Sequence, residues 1–276
     1  MFPAYRWRMS RVREFRRLHD DFLLLPNAWD AASGAALARA GFAAVGTTSL
    51  GVASAAGLSD GAGVARAATF ALAARLTGLP VPVSVDIEGG FSDDPAEVRA
   101  LGAELAAMGV AGVNLEDGHA DGTLADPKRQ SELVAALKES DLFVNARTDT
   151  HWLGVDRDST HDRCRAYVAA GADGVFVPGV TADDEIRALV AAVPAPVNLL
   201  FAPGRQSVRE LAALGVRRVS TGSLLFRAAL GAALETAAAV RDGTSITPNV
   251  PAYGQIQELV AAGTTDAEAT TGFEPV

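Results

Sequence analysis

Residues 80–91, PVPVSVDIEGGF, decide how the chain is read. Val81, Val83 and Val85 alternate with Pro82 and Ser84 in a run short and β-branched enough to be a strand. Gly89 and Gly90 break that strand, and PAEVRALGAELAAMG over 95–109 continues as an Ala-rich helix. Asp86 and Glu88 stand where the strand ends. Carboxylates that close a buried strand are costly unless a cation meets them, and a divalent ion that prefers hard oxygen ligands is the simplest partner. The competing reading is a solvated turn opened by two acids.

The same strand-then-helix unit recurs on both sides of this stretch. FLLLP (22–26), FAAVGTT (42–48), VAGVNLE (110–116), LFVNAR (142–147), DGVFVP (173–178), PVNLL (196–200) and VRRVSTG (216–222) read as further strands. Each precedes an Ala-rich helical segment, the second only after a Gly/Ser-rich loop. Gly41, Gly78, Gly109, Gly171 and Gly215 stop helices, as helix ends prefer. Strands alternating with helices pair in parallel through right-handed crossovers, and eight such units in about 250 residues make a closed (β/α)8 barrel. A doubly wound open sheet would carry a Gly-rich dinucleotide turn after its first strand, where this chain has PNAWDAAS. The expected organisation is an N-terminal arm over 1–19, the barrel over 20–243 and a helical extension and tail over 244–276. The last dozen residues are polar, and the expectation for them is a frayed end.

Composition narrows the function classes. The chain of 276 residues is 49% hydrophobic, which suits one large domain with a sizeable core. A net charge of −9 argues against nucleic acid as partner, because a polyphosphate needs the opposite sign. Cys164 is the sole cysteine, which excludes an intrachain disulfide and fits a reducing, cytoplasmic setting. No run of about 18 apolar residues stands out, so no membrane span is expected. The arm carries six arginines but lacks the apolar core of a secretion signal.

In such a barrel the C-terminal strand ends and the loops after them form the active site. There the sequence places Asn27, Trp29 and Asp30, then Thr47, Thr48 and Ser49, then Asp86 and Glu88. Asn114, Glu116 and Asp117 follow, then Asn145, Arg147 and Asp149, then Asn198, and last Ser220 and Thr221. Asp86, Glu88 and Glu116 supply three acidic oxygens, enough to hold Mg²⁺, or Mn²⁺ in its place, with water and substrate completing the shell. Arg147 suits a substrate carboxylate, with an ion pair to the same acids as its other reading. Thr48 and Ser49 offer hydroxyls and N–H groups to a second anionic group, or cap a helix. Asp30 and Asp149 are the residues most expected to be helix caps. Together the set describes a site for a small acid whose enolate a metal would stabilise.

LPNAWDAASGAALARAGFAAVGTTS, VDIEGGF, GVNLEDG, NARTD, PVNLL and GVRRVSTGSLLFRAAL resemble, in order and spacing, the isocitrate lyase/phosphoenolpyruvate mutase superfamily. The resemblance runs from about Leu24 to Gly243. It implies a Mg²⁺-dependent (β/α)8 enzyme acting on α-keto or 2-hydroxy carboxylates through an enolpyruvate-like intermediate. It assigns the metal to Asp86, Glu88 and Glu116 and the substrate carboxylate to Arg147, with Thr48, Ser49 and Leu50 as a second carboxylate cradle. Asp60, in GLSD, would assist near the metal, and Asn198 would line the pocket; Trp29 is a substrate-binding candidate from its place at the first strand end. Homo-oligomers, dimers or tetramers that swap their last helices, are implied too, and the Ser223–Gly243 segment is long enough for that.

The departures lie in the loop Gly118–Pro127, GHADGTLADP. It lacks the lysine and cysteine that the isocitrate lyases carry there, and the lysine and asparagine of the phosphonate-metabolising members. His119 is its sole titratable candidate acid, with a solvated loop histidine as the alternative. Cys164 sits in a helical stretch as a small buried thiol. The expected function is a lyase or decarboxylase that cleaves a C–C bond in a small α-keto or 2-hydroxy acid. A P–C bond mutase or hydrolase and a non-catalytic metabolite-binding barrel are the alternatives.

Overall fold

The structure, a computed structural model, describes residues 11–246 and 250–264. Nine parallel strands form one sheet: β1 (Leu23–Leu25), β2 (Asn27–Ala28), β3 (Val45–Thr47), β4 (Val83–Asp86), β5 (Gly112–Glu116), β6 (Phe143–Arg147), β7 (Gly174–Phe176), β8 (Val197–Leu200) and β9 (Arg218–Ser220). Their order runs β1-β9-β8-β7-β6-β5-β4-β3-β2. β1 pairs with β9, whereas β2 pairs with β3. Only Pro26 separates β1 from β2, so residues 23–28 are one barrel position whose two halves bond opposite neighbours and close the ring. The eight expected units are therefore correct, the first being split at a residue that has no N–H to give.

Asn27 stitches that seam. Its amide Nδ2 donates to the Thr47 carbonyl at 2.6 Å, and its Oδ1 accepts from the backbone N–H groups of Thr221 and Gly222, both at 2.9 Å. The main helices cover the outside of the barrel: α2 (Ala31–Arg39), α4 (Arg66–Leu76), α5 (Pro95–Met108), α6 (Pro127–Leu137), α8 (Thr160–Ala169), α9 (Asp183–Ala192), α10 (Val208–Ala213) and α11 (Leu224–Asp242). Between them and the strands lies the apolar core, with Val85, Val113, Leu115, Val144 and Leu105 fully buried. The ends obey capping chemistry. Asp94 accepts from the Ala96 N–H with Pro95 as the first helical residue of α5, and Gly109 closes that helix in the left-handed region at φ 94°.

Two short helices occupy stretches read as loops. α3 (Ser49–Ala55) replaces the expected Gly/Ser-rich loop, and α7 (Thr150–Leu153) follows β6. Within the N-terminal segment, residues 11–17 form a further helix, α1. Phe15 and Val12 are buried against the barrel base, Phe15 meets Phe143 edge-on at 5.3 Å, and His19 stacks on Phe143 at 4.1 Å. The rest of the arm, residues 1–10, and the expected frayed end, 265–276, lie outside the described residues. α12 (Tyr253–Thr264) packs on α2 of its own chain, with Arg39 and Glu258 paired at 3.6 Å. Among the described residues no helix is long and apolar enough to cross a membrane.

Candidate active site

Parallel strands buried on both faces send alternate side chains into the barrel. From β4, β5 and β6 these are Ser84 and Asp86, then Asn114 and Glu116, then Asn145 and Arg147, aligned by register: Asp86 faces Asn114, and Glu116 faces Arg147. A cavity of about 620 Å³, open mouth included, sits at the C-terminal ends of the strands. Asp60, Asp86, Arg147, Thr48 and Ser49 line its polar side, with Asn27, Asn114 and Ser220 also in its wall. Leu50, Trp152, Phe176, Pro178 and Leu200 line its apolar side.

Arg147 is the centre of the charge network. Its Nη1 lies 2.6 Å from Glu116 Oε2, its Nε donates to Asp149 Oδ1 at 2.6 Å, and its Cζ sits 5.5 Å from the Phe176 ring centroid. Burial works against its charge, but Glu116, Asp149 and Asp86 outweigh it and hold the guanidinium above its ordinary pKa. Arg147 thus pairs with the acids and also lines the cavity. Asp149, expected to cap a helix, makes no side-chain cap bond to α7 and anchors Arg147 instead. Asp30 is a cap, joined to Ser33 in a reciprocal capping box.

The acids are held where ionisation is expensive. Burial raises the Asp86 carboxyl, offset in part by Arg147 and by the Ser49 N–H, which donates to Oδ2 at 3.3 Å. Burial also pushes Glu116 up to about 8, with Arg147 opposing and Asp86 and Asp149 adding to the rise. Glu88 is raised by burial as well, and its Oε1 is buried without a hydrogen-bond partner. Such groups want a cation.

The three acids are not assembled as the cage the sequence suggested. Among the described residues no three His, Cys, Asp or Glu side chains are grouped as a metal site. Two causes are visible. Arg147 draws Glu116 to itself, and Glu88, in the left-handed region at φ 50°, points its Oε2 at the Gly63 N–H 3.0 Å away. Asp86 and Asp60 are the carboxylates that line the cavity. The donor chemistry still suits a hard divalent ion: oxygen-only groups, a half-buried acid at Asp86 facing the cavity, and an orphaned Glu88 oxygen nearby.

Four further expectations change. His119 is exposed on a loop that closes on itself, through its N–H to the Thr123 carbonyl at 2.9 Å and a bridge between Gly118 and Leu124, and it is not among the cavity-lining residues. Gly118 fixes that path, because a Cβ there would come within 2.3 Å of Asp149 Oδ2. Trp29 packs on Phe226 at 5.7 Å and lies against Gly51, so it supports α3 from behind rather than lining the cavity. Asn198 is buried below the cavity, its Nδ2 3.4 Å from Ser220 Oγ. Thr48, the residue before α3, makes no side-chain cap bond, so the cap reading of that loop fails. Cys164 is fully buried and its thiol is pushed up to about 12, mainly by burial, which excludes it as an acid near neutrality.

Sequence reasoning missed Trp152 and Phe176 as cavity walls and Arg218 as an interior group. Trp152 lies five residues after Arg147 in a segment read as a connection, and nothing in its pattern marks it.

A closed parallel barrel with an acid–guanidinium cavity at the C-terminal strand ends defines an enzyme of the (β/α)8 class. The chain matches the phosphoenolpyruvate phosphomutase family over residues 15–241 and belongs to it, and so to the isocitrate lyase/phosphoenolpyruvate mutase superfamily of lyases and mutases. It is 46% identical over 238 residues to an uncharacterized protein of Mycobacterium tuberculosis (strain ATCC 25618 / H37Rv), covering 85% of this chain and 90% of that one. It is 33% identical over 177 residues to an oxaloacetate decarboxylase of Bradyrhizobium sp. (strain BTAi1 / ATCC BAA-1182), covering 60% of this chain and 61% of that one. Among solved structures it is similar to a presumed lyase/mutase of Burkholderia cenocepacia J2315, with a TM-score of 0.84 and 37% identity over 92% of this chain and 96% of the other.

Proposed function

We propose that the protein is a divalent-metal-dependent carbon–carbon lyase or decarboxylase acting on a small α-keto or 2-hydroxy acid through an enolate. The observation that carries this reading is Arg147, fixed at 2.6 Å by both Glu116 and Asp149 while lining the same cavity as Asp86. A guanidinium pinned on two sides presents its remaining N–H groups without further reorganisation, which suits a carboxylate. Thr48, Ser49 and Leu50 would meet the second anionic end. Mg²⁺ or Mn²⁺ would be held by Asp86 with Asp60, backed by the charge of Glu88 and Glu116, and would supply Lewis-acid stabilisation of the enolate oxygen. Trp152, Pro178 and Leu200 would form the apolar wall beside the group being cleaved. With His119 outside the cavity, solvent is the proton source for the enolate. The similarity to an oxaloacetate decarboxylase supports the C–C reading.

The matched family is described as a phosphoenolpyruvate phosphomutase, which keeps P–C chemistry as the second reading. One assay separates them: pyruvate release from oxaloacetate and from phosphonopyruvate, with and without Mg²⁺. Metal-dependent release from the carbon acid, abolished in Asp86→Ala, supports the proposal. Turnover of phosphonopyruvate alone would replace it with the second reading. Absence of turnover on any keto acid would leave a binding barrel. We also read the chain as a homo-oligomer. Leu230 and Leu234, one turn apart on α11, are 51% and 73% exposed, a face suited to a second copy. Light scattering giving a monomer mass would remove that part.

A further inference from the structure

Beneath the cavity the barrel interior is polar, and one hydrogen-bond chain crosses it. Arg218, on β9, is fully buried and reaches across the barrel to β5, where its Nη2 donates to Asn114 Oδ1 at 3.1 Å. Asn145 Nδ2, from β6, donates to the same oxygen at 2.9 Å. Strands β5 and β9 do not adjoin in the sheet, so this contact spans the interior. A guanidinium can only donate. The Asn114 atom facing it must therefore be the carbonyl oxygen, which settles the orientation of an amide that otherwise has two. Two donors on Oδ1 leave Nδ2 on the other side. Asn114 is 6% exposed and lines the cavity, and its Nδ2 makes no hydrogen bond among the described residues. Asp86, the neighbour in register, presents its carboxylate to the same space.

We propose that Asn114 is a substrate-binding residue whose Nδ2 donates to an anionic oxygen of the bound acid, the one on which enolate charge develops. Arg218 is its positioning residue. The guanidinium polarises the amide by drawing on its oxygen, and it prevents the flip that would turn a carbonyl towards an anion. Arg218 is a buried cation with its Nε and Nη1 unpartnered, a costly arrangement for packing alone. This assignment rests on the enolate reading given above and adds the donor and its support to it.

Calorimetric titration of oxalate, a planar enolate mimic, in the presence of Mg²⁺ tests both parts. Asn114→Leu keeps the branched shape and removes the donor. It should weaken oxalate binding by about 10- to 100-fold, the worth of a hydrogen bond to a charged group, with the melting temperature retained. Arg218→Met should weaken it similarly. The double variant should bind no worse than Asn114→Leu alone, because Arg218 acts through Asn114. A purely structural role would instead give independent, additive losses. Should Asn114→Leu not fold, Asn114→Ala and Asn114→Ser allow the same comparison. Undiminished binding by a folded Asn114 variant would overturn the assignment while leaving the enolate site intact. Failure of the wild type itself to bind would overturn the enolate reading, and this assignment with it.

Discussion

Arg147 and Arg218 lie in one barrel, the first half-buried at the cavity wall and the second fully buried, and their surroundings are opposite. Arg147, at the mouth, has carboxylates at 2.6 Å on two sides and is held above its ordinary pKa. Arg218, deeper in, has no carboxylate within ion-pair reach among the described residues; its amide partner Asn114 and the Phe15 ring, 5.8 Å from its Cζ, are its neighbours. Burial pushes it down to about 9, with only the charge of Asp86 resisting. A compensated cation can be spared for a ligand without unravelling its site. An uncompensated one is costly to bury unless its field serves something anionic nearby. The first geometry suits a substrate clamp, and the second an electrostatic support.

Replacing each arginine with methionine should separate them most strongly. Arg147→Met strands Glu116 and Asp149 as buried, unpaired acids and should lower stability by about 3–5 kcal/mol. Urea denaturation of the metal-free protein measures this, and a loss near zero would mean the network carries no strain when broken. Arg218→Met removes an unpaired buried charge and should leave stability unchanged or higher under the same assay, while weakening ligand binding. A large destabilisation there would erase the contrast.

The acids at the mouth give a pH signature. Glu116 titrates near 8 in the folded protein, against an ordinary 4.5. Between those values the folded state holds a proton that the unfolded state has released, so stability falls as pH rises through the window. His19, buried and pushed down to about 3, works in the opposite direction below 6.5. From pH 6.5 to 8 the metal-free melting temperature should therefore decline, and Glu116→Gln should flatten the decline. A rising curve in the wild type would put Glu116 in its ordinary range. Smallest is the expected effect at Cys164. Its buried, raised thiol should react with a disulfide reagent only when the protein opens, and rapid labelling of the native state would contradict its burial.

Much of the fold was legible because β/α units write themselves as short apolar runs followed by Ala-rich helices. Asp86, Arg147, Thr48 and Ser49 were legible because a barrel sends strand-end residues to one face. The split at Pro26 follows from an imino acid that the sequence displays, but which neighbour each half bonds is set by closure of the ring. α3 was missed because SLGVASA is poor in helix formers, and packing of Gly51 against Trp29 outweighs that preference. Arg218 was missed for a different reason. Its strand is buried on both faces, so VRRVS shows no alternation that would tell an inward arginine from an outward one. How the acids are arranged was not legible: spacing put three acids at one end of the barrel, but it carried no information on Arg147 pairing with Glu116.

The most direct measurement is calorimetric titration of oxalate into the wild-type protein with and without Mg²⁺. An enolate site built on Asp86 and Arg147 predicts tight binding that requires the ion and disappears in Asp86→Ala. No binding under either condition, or equal binding without the ion, would contradict it and leave the strand-end acids as parts of the scaffold.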